Sequence, residues 1–310
     1  MLDASVIIVN WNSKQYLMKC LESIYRHTHG FSSELIVVDN ASSDGTAAEL
    51  RKRYPDVKLI EGKGNVGFAK GNNIGIAASS GRYVCLVNPD VEFLEDCLSK
   101  LCRYMDANDK VGICGPKILN KDGSVQYSCR EYPTLWNNLC FALGLHRVFP
   151  RSALFSNELM SYFDHNELRE VEALSGCFMV VRREAMKEVG LMDDAFFMYS
   201  EDVDWCKRFH NEGWKVVFNP EAKAIHYGGG SMENTSLWST VQQERALMQY
   251  WSKHHGAIKT TLLRVILFIK HALRFVQSAL FYVIRPADRK QSMDGLDREA
   301  ACMRIVISGR

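Results

Sequence analysis

The first part of the chain alternates short apolar segments with amphipathic ones, and this alternation restricts the fold more than any other feature of the sequence. Ser5–Val9, Leu35–Val38 and Tyr83–Val87 are apolar almost throughout, and Lys14–His27 carries apolar residues at helical spacing. Strands that are apolar on both faces need cover on both faces, which is typical of parallel sheets flanked by helices. The sequence therefore predicts an α/β fold with a mostly parallel sheet.

The remaining predicted elements are regular up to about residue 111 and less regular beyond it. Strands are predicted at Val57–Ile60, Val111–Ile118, Ser124–Ser128 and Lys215–Phe218, with ordered structure also at Ala173–Val181. Helices are predicted at Thr46–Tyr54, Ala69–Ala78, Glu201–Asn211 and from Arg183, and the aromatic-rich stretch Tyr132–Arg169 is predicted to be irregular. We expect the second half to complete the sheet and to build one side of a cleft.

Charge and cysteine content exclude two classes of function. The formal net charge is +2 and no block of basic residues is present, which argues against a nucleic-acid partner. The ten cysteines contain no C-x-x-C pair, so the usual zinc spacing is missing. We expect free thiols in a reducing cytosol, and no signal sequence, because a strand begins almost at once at Ser5.

Two aspartates follow predicted strands of the sheet. Asp39 ends one strand, and Asp90 follows another in the sequence Asn88-Pro89-Asp90. Ligands of open parallel sheets bind outside the carboxyl ends of the strands. A turn residue that caps the next helix is the structural alternative for either aspartate. The occurrence of both in one predicted sheet favours a binding site.

A glycine-rich segment follows the third predicted strand. Gly62–Gly67 matches G-x-G-x-x-G and opens a helix, and Asp90 lies near the distance expected of a ribose-binding acid. A dinucleotide-binding oxidoreductase is therefore one alternative, although that motif normally follows the first strand. Asn65 and Asn72 add amide groups that a glycine turn does not need, and these could contact a base, ribose or phosphate at the helix N-terminus.

Two further segments carry groups suited to catalysis. Glu201, Asp202 and Asp204 start a predicted helix, where acidic residues are also stabilised by the helix dipole alone. The apolar run Phe196–Tyr199 precedes them and would raise a carboxylate pKa, which makes a better proton acceptor. His226 is followed by three glycines, and an imidazole with an aspartate oxygen suits Mn²⁺ or Mg²⁺.

Taken in order, these segments resemble the family 2 inverting glycosyltransferases of the GT-A fold, over roughly residues 4–232. The resemblance lies in the opening strand Val6–Asn12, the loop Asp39–Gly45, the segment Asn65–Asn73 and the motifs around Asp90 and Asp202. It implies a Rossmann-like sheet, with residues 1–120 as the nucleotide-sugar-binding half and 121–232 as the acceptor-binding and catalytic half. Residues 233–310 would form a C-terminal helical extension.

The resemblance also implies a role for individual residues. Asp202 would be the general base with Glu201 as its rival, and Asp90 and His226 would bind Mn²⁺ or Mg²⁺. Asn88 occupies the first acidic position of the family's D-x-D motif, so a two-carboxylate metal site is not expected. The donor-binding residues would be Asn10, Asp39, Asn65, Gly67, Lys70, Asn72 and Asn88.

The forms Asn88-Pro89-Asp90 and His226–Ser231 resemble the rhamnosyltransferase branch. This implies transfer of L-rhamnose from dTDP-rhamnose to a lipid-linked glycan in bacterial cell-surface polysaccharide synthesis. A non-catalytic sugar-nucleotide-binding protein is the other alternative; it would keep Asp39 and Asp90 without needing Asp202. The sequence leaves the acceptor and the oligomeric state open.

The segment Thr261–Ile284 is predicted to be a very apolar helix with a polar stripe. Arg264, His271, Arg274, Ser278 and Arg285 recur at spacings of three, four or seven. Its longest unbroken apolar run is far below the about 20 residues of a spanning helix. The pattern predicts a helix at the inner membrane surface, or one that packs within the protein. The protein would then be cytoplasmic and peripheral to the membrane. The polar tail from Arg285 has no predicted role.

Overall fold

In a computed structural model of the protein, residues 2–228, 236–285 and 288–308 are described. The described residues form two compact units. The first unit takes its residues from Met1–Tyr132, Phe163–Phe197 and Glu201–Glu233, and the second from Pro133–Tyr162, Met198–Ser200 and Asn234–Arg310. The boundaries expected at residues 120 and 232 divide the chain by function, whereas these units are defined by their contacts. The functional division therefore stays a prediction.

The strands and helices are numbered in chain order. The strands are β1 (Ala4–Asn10), β2 (Ser33–Asp39), β3 (Lys58–Glu61), β4 (Tyr83–Val87), β5 (Val91–Phe93), β6 (Val111–Leu119), β7 (Cys129–Arg130), β8 (Arg169–Glu170), β9 (Ala173–Leu174), β10 (Phe178–Arg182) and β11 (Lys215–His226). The helices are α1 (Lys14–His27), α2 (Thr46–Arg53), α3 (Phe68–Ala77), α4 (Cys97–Asp106), α5 (Leu135–Ala142), α6 (Leu145–Val148), α7 (Arg183–Val189), α8 (Glu201–Asn211), α9 (Ser236–His254), α10 (Ala257–Ile284) and α11 (Arg289–Ser308).

The first unit is built on one mixed sheet with the strand order β3-β2-β1-β4-β10-β6-β11-β5, and β8 pairs with β11. The first four strands in this order, β3, β2, β1 and β4, are parallel to one another, as predicted. β10 is antiparallel to both β4 and β6, and β6 is parallel to β11. The described sheet is therefore mostly parallel, with three reversed strands: β10 between β4 and β6, and β5 and β8 beside β11.

Register places the predicted polar residues at one edge of this sheet. Asn10 pairs with Asp39 at the end of β1 and β2, and Ile8 pairs with Val87 near the end of β4. The strand interiors are buried: Val6, Ile8, Val37 and Cys85 belong to a core cluster that includes residues of α1 and α4. Because the strand interiors are apolar, the polar groups can emerge only where the strands end.

The second unit is helical in its described residues. α10 packs against α9, α11 and α5. Within α10, Leu263, Leu267 and His271 are buried at a spacing of four residues, so one face of the helix points inward. The predicted polar stripe is therefore wrong in one respect: His271 lies on the packed face together with two leucines. α10 is also long and apolar enough to cross a membrane by length and composition alone, although it lacks a long unbroken apolar run.

Two local predictions are wrong. Ser124–Ser128 forms no strand, and only Val125 makes an isolated bridge, to Leu119. The stretch predicted to be irregular contains α5 and α6, and the side chain of Thr134 caps α5 by accepting from Asn137 N at 3.1 Å. A helix is recognised in a sequence when its apolar residues recur on one face. In this stretch apolar and aromatic residues occur at nearly every spacing, so no helical period stands out.

The amino end of β1 lies against a tight backbone contact. Gly81 N donates to Ser5 Oγ at 2.8 Å, and a Cβ at Gly81 would lie 2.5 Å from the Ala4 carbonyl carbon and from Ser5 N. Main-chain atoms cannot move aside as a flexible side chain can. Gly81 therefore sets the spacing between β1 and the segment that enters β4.

We expect Gly81→Ala to lower the free energy of unfolding by about 1–3 kcal/mol, because the added methyl group overpacks a fixed backbone. Urea denaturation followed by circular dichroism measures this change. The matched control is Gly64→Ala: no atom lies within 4 Å of its Cβ position, so the change should stay within about 0.5 kcal/mol. Equal losses in the two variants would show that the contact at Gly81 is not decisive.

Candidate active site

The side chains at the ends of β1 and β2 form a hydrogen-bonded polar layer, called here the polar floor. Asn10 Nδ2 donates to Asp39 Oδ1 at 3.1 Å, to Ser42 Oγ at 3.1 Å and to Thr46 Oγ1 at 3.3 Å. Ser42 N donates to the other carboxylate oxygen of Asp39 at 3.1 Å. Asn10 and Asp39 are therefore brought together as predicted for donor binding, and Ser42, which the sequence did not single out, completes the network.

The glycine-rich segment is fixed beside this floor. Asn40 Nδ2 donates to Gly67 O at 3.1 Å, and Asn65 Oδ1 accepts from Gly67 N at 3.0 Å. Gly67 has a φ of 86°, and a Cβ there would lie 2.3 Å from the carbonyl oxygen of Phe197. Phe68 N donates to the same carbonyl at 2.7 Å. Only glycine fits here, because both the left-handed φ and the close carbonyl exclude a side chain.

Two of the predicted donor-binding residues lie on α3. Asn72 is buried and donates to Phe68 O at 3.0 Å, one turn earlier in its own helix. Its amide nitrogen is thus already bonded within the helix. Lys70 is exposed on the same helix. Contact of either residue with a donor stays a prediction, and the geometry favours Lys70 because its ammonium group is accessible.

A second polar group lies at the end of β4. His226 Nε2 is 3.3 Å from Asn88 Nδ2 and 3.2 Å from Asp90 Oδ1, and Asp90 itself is buried. The antiparallel pairing of β5 with β11 brings these residues together, since His226 is opposite Val91. Sequence separation gave no hint of the contact, yet the three residues converge as the resemblance implied. Gly229, Gly230 and Ser231 of the predicted segment lie outside the described residues.

Gln126 determines which nitrogen of His226 carries the proton. The Gln126 amide donates to His226 O at 3.1 Å and to Asn120 Oδ1 at 2.9 Å, so its oxygen must face the imidazole. That oxygen lies 2.6 Å from His226 Nδ1, which therefore donates to it. In the neutral imidazole the lone pair is then on Nε2, the nitrogen that faces Asn88 and Asp90. Metal-binding histidines are usually oriented by such a hydrogen bond to the other ring nitrogen.

Asp202 is connected to the same group through two adjacent backbone positions. Asp202 Oδ2 accepts from Gly176 N at 2.8 Å, and Oδ1 accepts from Val203 N at 2.8 Å. The next residue, Cys177, accepts from Asn88 N at 2.8 Å through its carbonyl oxygen. A Cβ at Gly176 would lie 3.4 Å from Asp202 Cβ. The candidate base and the Asn88–Asp90–His226 group therefore lie side by side.

Burial separates the two rival bases. Burial, reinforced by the Asp202 charge, raises the pKa of Glu201 well above its usual value. One oxygen of Glu201, Oε2, has no hydrogen-bond partner among the described residues. Burial also raises the pKa of Asp202, although the backbone hydrogen bonds from Gly176 and Val203 reduce the rise. Unlike Glu201, Asp202 keeps part of its surface exposed to solvent. Asp202 is thus the accessible carboxylate, while the Glu201 side chain is buried away from solvent.

The third acidic residue of this helix start has a structural role. Asp204 is fully buried and pairs with Arg208, whose Nε lies 2.9 Å from Asp204 Oδ2. Arg208 also donates to the carbonyl oxygens of Val189 and Leu191. This network fixes α8 to the end of α7 and so positions Asp202.

Sequence reasoning missed Arg130. Its guanidinium donates to the Tyr127 and Cys129 carbonyl oxygens. Burial raises the pKa of Asp202 and of Cys177, and the positive charge of Arg130 is close enough to offset a small part of that rise. Arg130 belongs to β7, which the sequence did not predict, so no pattern marked it. A cation at this point stabilises an ionised Asp202 and any negative charge bound beside it.

The donor atoms at the strand ends suit a hard cation and a nucleotide. The amide oxygens of Asn10, Asn40 and Asn88 are buried without a hydrogen-bond partner among the described residues. Asn88 Oδ1, Asp90 Oδ1 and His226 Nε2 together make an oxygen-rich set with one imidazole, which Mn²⁺ or Mg²⁺ accepts. Within the described ranges, no group of three or more His, Cys, Asp or Glu side chains is placed to hold a metal ion. A site here would need the Asn88 amide, water or substrate oxygens.

The site thus combines a mostly parallel sheet, a polar floor at the carboxyl ends of its strands, and the carboxylate of Asp202 beside Asp90 and His226. The sequence matches the family model for glycosyl transferase family 2 over residues 5–190. The chain therefore belongs to glycosyl transferase family 2. It is a glycosyltransferase, and its substrates are a nucleotide-sugar donor and a glycan acceptor.

Characterised relatives include several rhamnosyltransferases. The N-acetylglucosaminyl-diphospho-decaprenol L-rhamnosyltransferase of Mycobacterium tuberculosis is 32% identical over 72% of this chain and 75% of its own length. Rhamnosyltransferase WbbL of Escherichia coli is 27% identical over 76% of this chain and 86% of its own. The dTDP-rhamnosyl transferase RfbF of Shigella flexneri is 26% identical over 71% and 67%.

Solved structures confirm the fold class. A mannosyltransferase from Pyrobaculum calidifontis, in complex with GDP-Man and Mn²⁺, matches with a TM-score of 0.58 and 15% identity. The match covers 99% of this chain and 89% of that one. GalNAc-T7 with UDP, GalNAc and Mn²⁺ matches with a TM-score of 0.60 and 16% identity, over 81% of this chain and 48% of that chain. The GT-A fold expected from the resemblance is therefore confirmed.

The burial of Glu201 predicts a pH-dependent stability. Its pKa is raised on folding, so the native state holds a proton that the unfolded state releases, and the stabilisation is lost as pH rises above the ordinary value of 4.5. Glu201→Gln removes this loss, so the stability of the variant relative to the wild type should increase as the pH rises above 4.5.

Urea denaturation of both proteins at a series of pH values above 4.5 measures this difference in the free energy of unfolding. Glu212→Gln is the matched control, because Glu212 is exposed just beyond α8 and its replacement should leave the pH profile unchanged. A wild type whose stability relative to Glu201→Gln did not vary with pH would contradict a raised pKa.

Proposed function

We propose that the protein transfers L-rhamnose from dTDP-rhamnose, with inversion, to a hydroxyl of a lipid-linked glycan in bacterial cell-surface polysaccharide synthesis. The observation that carries the chemistry is the connection of Asp202, through Gly176 and Cys177, to Asn88 and its neighbours. It sets a partly buried carboxylate beside the groups suited to a diphosphate. The choice of sugar is supported by the rhamnosyltransferases among the relatives.

Inversion requires attack on the anomeric carbon from the face opposite the leaving group. Asp202 would accept the proton of the acceptor hydroxyl as its oxygen bonds to the anomeric carbon. The bond from that carbon to the diphosphate oxygen breaks at the same time, and its electron pair stays on the nucleoside diphosphate. Glu201 is less suited to this role, because its side chain is buried and cannot reach an acceptor hydroxyl in solvent.

The nucleotide would bind at the ends of β1 and β2. The Asp39 carboxylate and the unpartnered amide oxygens of Asn10 and Asn40 offer acceptors for the N–H of a pyrimidine base and for a ribose hydroxyl. The loop of Asn65 and Gly67 borders this floor, and Lys70 provides a positive charge at its helix. Asn72 would act through the packing of α3.

A divalent cation would be held by Asp90 and His226, with the Asn88 amide oxygen as a further ligand. When bound, it would neutralise charge on the diphosphate as the leaving group departs. His226 is prepared for this role by its hydrogen bond to Gln126, which keeps the Nε2 lone pair directed at Asp90. Arg130 adds a fixed positive charge beside Asp202 and would favour the departing anion.

The two alternative functions fit less well. In an NAD-type oxidoreductase, Gly62–Gly67 would cradle a pyrophosphate, but this segment follows the edge strand β3 and its Gly67 is packed against Phe197. A non-catalytic sugar-nucleotide-binding protein would have no use for Asp202 held by two backbone amides. Membership of the transferase family argues against both.

The direct test of this function is nucleoside-diphosphate release from a panel of dTDP-, UDP- and GDP-sugars, with Mn²⁺, with Mg²⁺ and with a chelator. We expect dTDP-rhamnose to be hydrolysed slowly in the presence of metal and not in its absence. Asp90→Asn should weaken metal binding and lower the activity with it. Binding of another donor in preference to dTDP-rhamnose would overturn the proposed sugar but not the class of enzyme.

The role of Asp202 is tested separately with an acceptor hydroxyl present. Asp202→Asn should lower the rate of transfer by about 10²–10⁴-fold, since a positioned base typically supplies that factor. Donor affinity, measured by calorimetry, should stay near the wild-type value. Glu201→Gln is the control and should retain most of the activity. A reversed result would make Glu201 the base.

A further inference from the structure

The outward face of α10 is an unbroken apolar stripe. Its exposed members recur at spacings of three and four residues, which places them on one side of the helix. They include Leu262, Val265, Ile269, Leu273, Val276 and Leu280. Val276 is 64% exposed. The 28 residues of α10 span about 42 Å. The stripe is therefore a contiguous apolar patch rather than a set of scattered exposed side chains.

Polar contacts on the opposite face fix the rotation of this helix. His271 Nδ1 lies 2.6 Å from Glu299 of α11, and its Nε2 lies 3.0 Å from Glu244 of α9. Lys270 pairs with the same Glu244. These buried polar contacts hold His271 inward, and the apolar stripe therefore points away from α9 and α11.

A cationic cavity borders the stripe. It has a volume of about 240 Å³ and lies between α10 and the segment that joins α5 to α6. Its basic lining residues are His146, Arg147, Lys270 and Arg274. Neither arginine has an ion pair within the described part of the chain. Burial lowers the pKa of His146, and the positive charges of Arg147 and Arg274 lower it further.

The cavity and the stripe are continuous. Leu273 lines the cavity and is also 59% exposed on the stripe, and Leu143 lines the other side with the same exposure. Residues 257–284 contain no aspartate or glutamate, whereas Lys259, Arg264, Lys270 and Arg274 are basic. A second copy of the same face is therefore disfavoured, because α10 offers no carboxylate to meet Lys259 and Arg274 of that copy.

From this placement we infer that α10 lies along a membrane surface, with the phosphate of an anionic lipid in the Arg147–Arg274 cavity and the apolar stripe in the acyl region. A cavity of this size holds several waters of ~30 Å³ each, and therefore a phosphate group. The apolar stripe and the paired arginines match the two halves of a phospholipid. The inference rests on the membrane contact implied by the proposed lipid-linked acceptor, and it assigns the residues that make it.

Vesicle co-sedimentation of the full chain tests the assignment. Wild-type protein should bind phosphatidylcholine vesicles weakly and vesicles that also contain phosphatidylglycerol more tightly. Arg147→Gln and Arg274→Gln should each reduce binding to the anionic vesicles by about fivefold. Binding to the neutral vesicles should not change. Arg304→Gln is the matched control, an exposed arginine of α11 outside the cavity.

The stripe is tested by a second matched pair. Val276→Gln should weaken binding to neutral and anionic vesicles alike, whereas Ile307→Gln should not, although Ile307 is 67% exposed on α11. Circular dichroism and donor hydrolysis check that each variant is folded and that the transferase site is intact.

Three results would overturn the inference. If Arg304→Gln reduced binding to the anionic vesicles as much as Arg274→Gln, the attraction would come from overall charge and not from a lipid site. Inorganic pyrophosphate that binds the cavity while vesicles do not would mean a soluble anion site. A wild type that binds neither vesicle would exclude the membrane contact, and donor hydrolysis would then still decide the proposed glycosyl transfer on its own.

Discussion

The burial of the central strands on both faces is the constraint on which the site depends. Because the interiors of β1, β2 and β4 are apolar, polar groups are excluded from them and collect where the strands end. The parallel register then brings Asn10, Asp39 and Asn88 to one edge. The antiparallel strand β10 enters beside β4 and delivers Gly176 and Cys177 to the same place. Two backbone hydrogen bonds from these residues connect the candidate base to the candidate metal group.

Neighbouring carboxylates of α8 are given different properties by their surroundings. Glu201 is buried with an unpartnered oxygen, Asp202 is partly exposed and bonded to two backbone amides, and Asp204 is neutralised by Arg208. Burial raises the pKa of the first two, but only Asp202 is also accessible. This is the usual way in which a protein assigns separate roles to similar groups, through desolvation and hydrogen bonding rather than residue type.

In the helical unit, buried polar contacts rather than apolar strands determine which side chains are exposed. The buried contacts of His271 with Glu244 and Glu299 determine which side of α10 is packed. The sequence showed that the helix is apolar and basic, but it could not show its rotation, since leucines occur on every side. Leu263 and Leu267 are buried while Val265 and Leu273 are exposed. The cationic cavity depends on α5 and α6, which the sequence did not predict.

The sequence by itself determined the alternating strands and helices up to β4, the polar ends of those strands and the family resemblance. These follow from local periodicity and from motifs whose residues are adjacent in the chain. Only the tertiary structure decided the reversed direction of β10, the contact of His226 with Asp90 across the β5–β11 pair, and the positions of Gln126 and Arg130. Each of these depends on pairing between distant segments, and the free energy of such pairing is set by the packing of the whole sheet rather than by any local pattern.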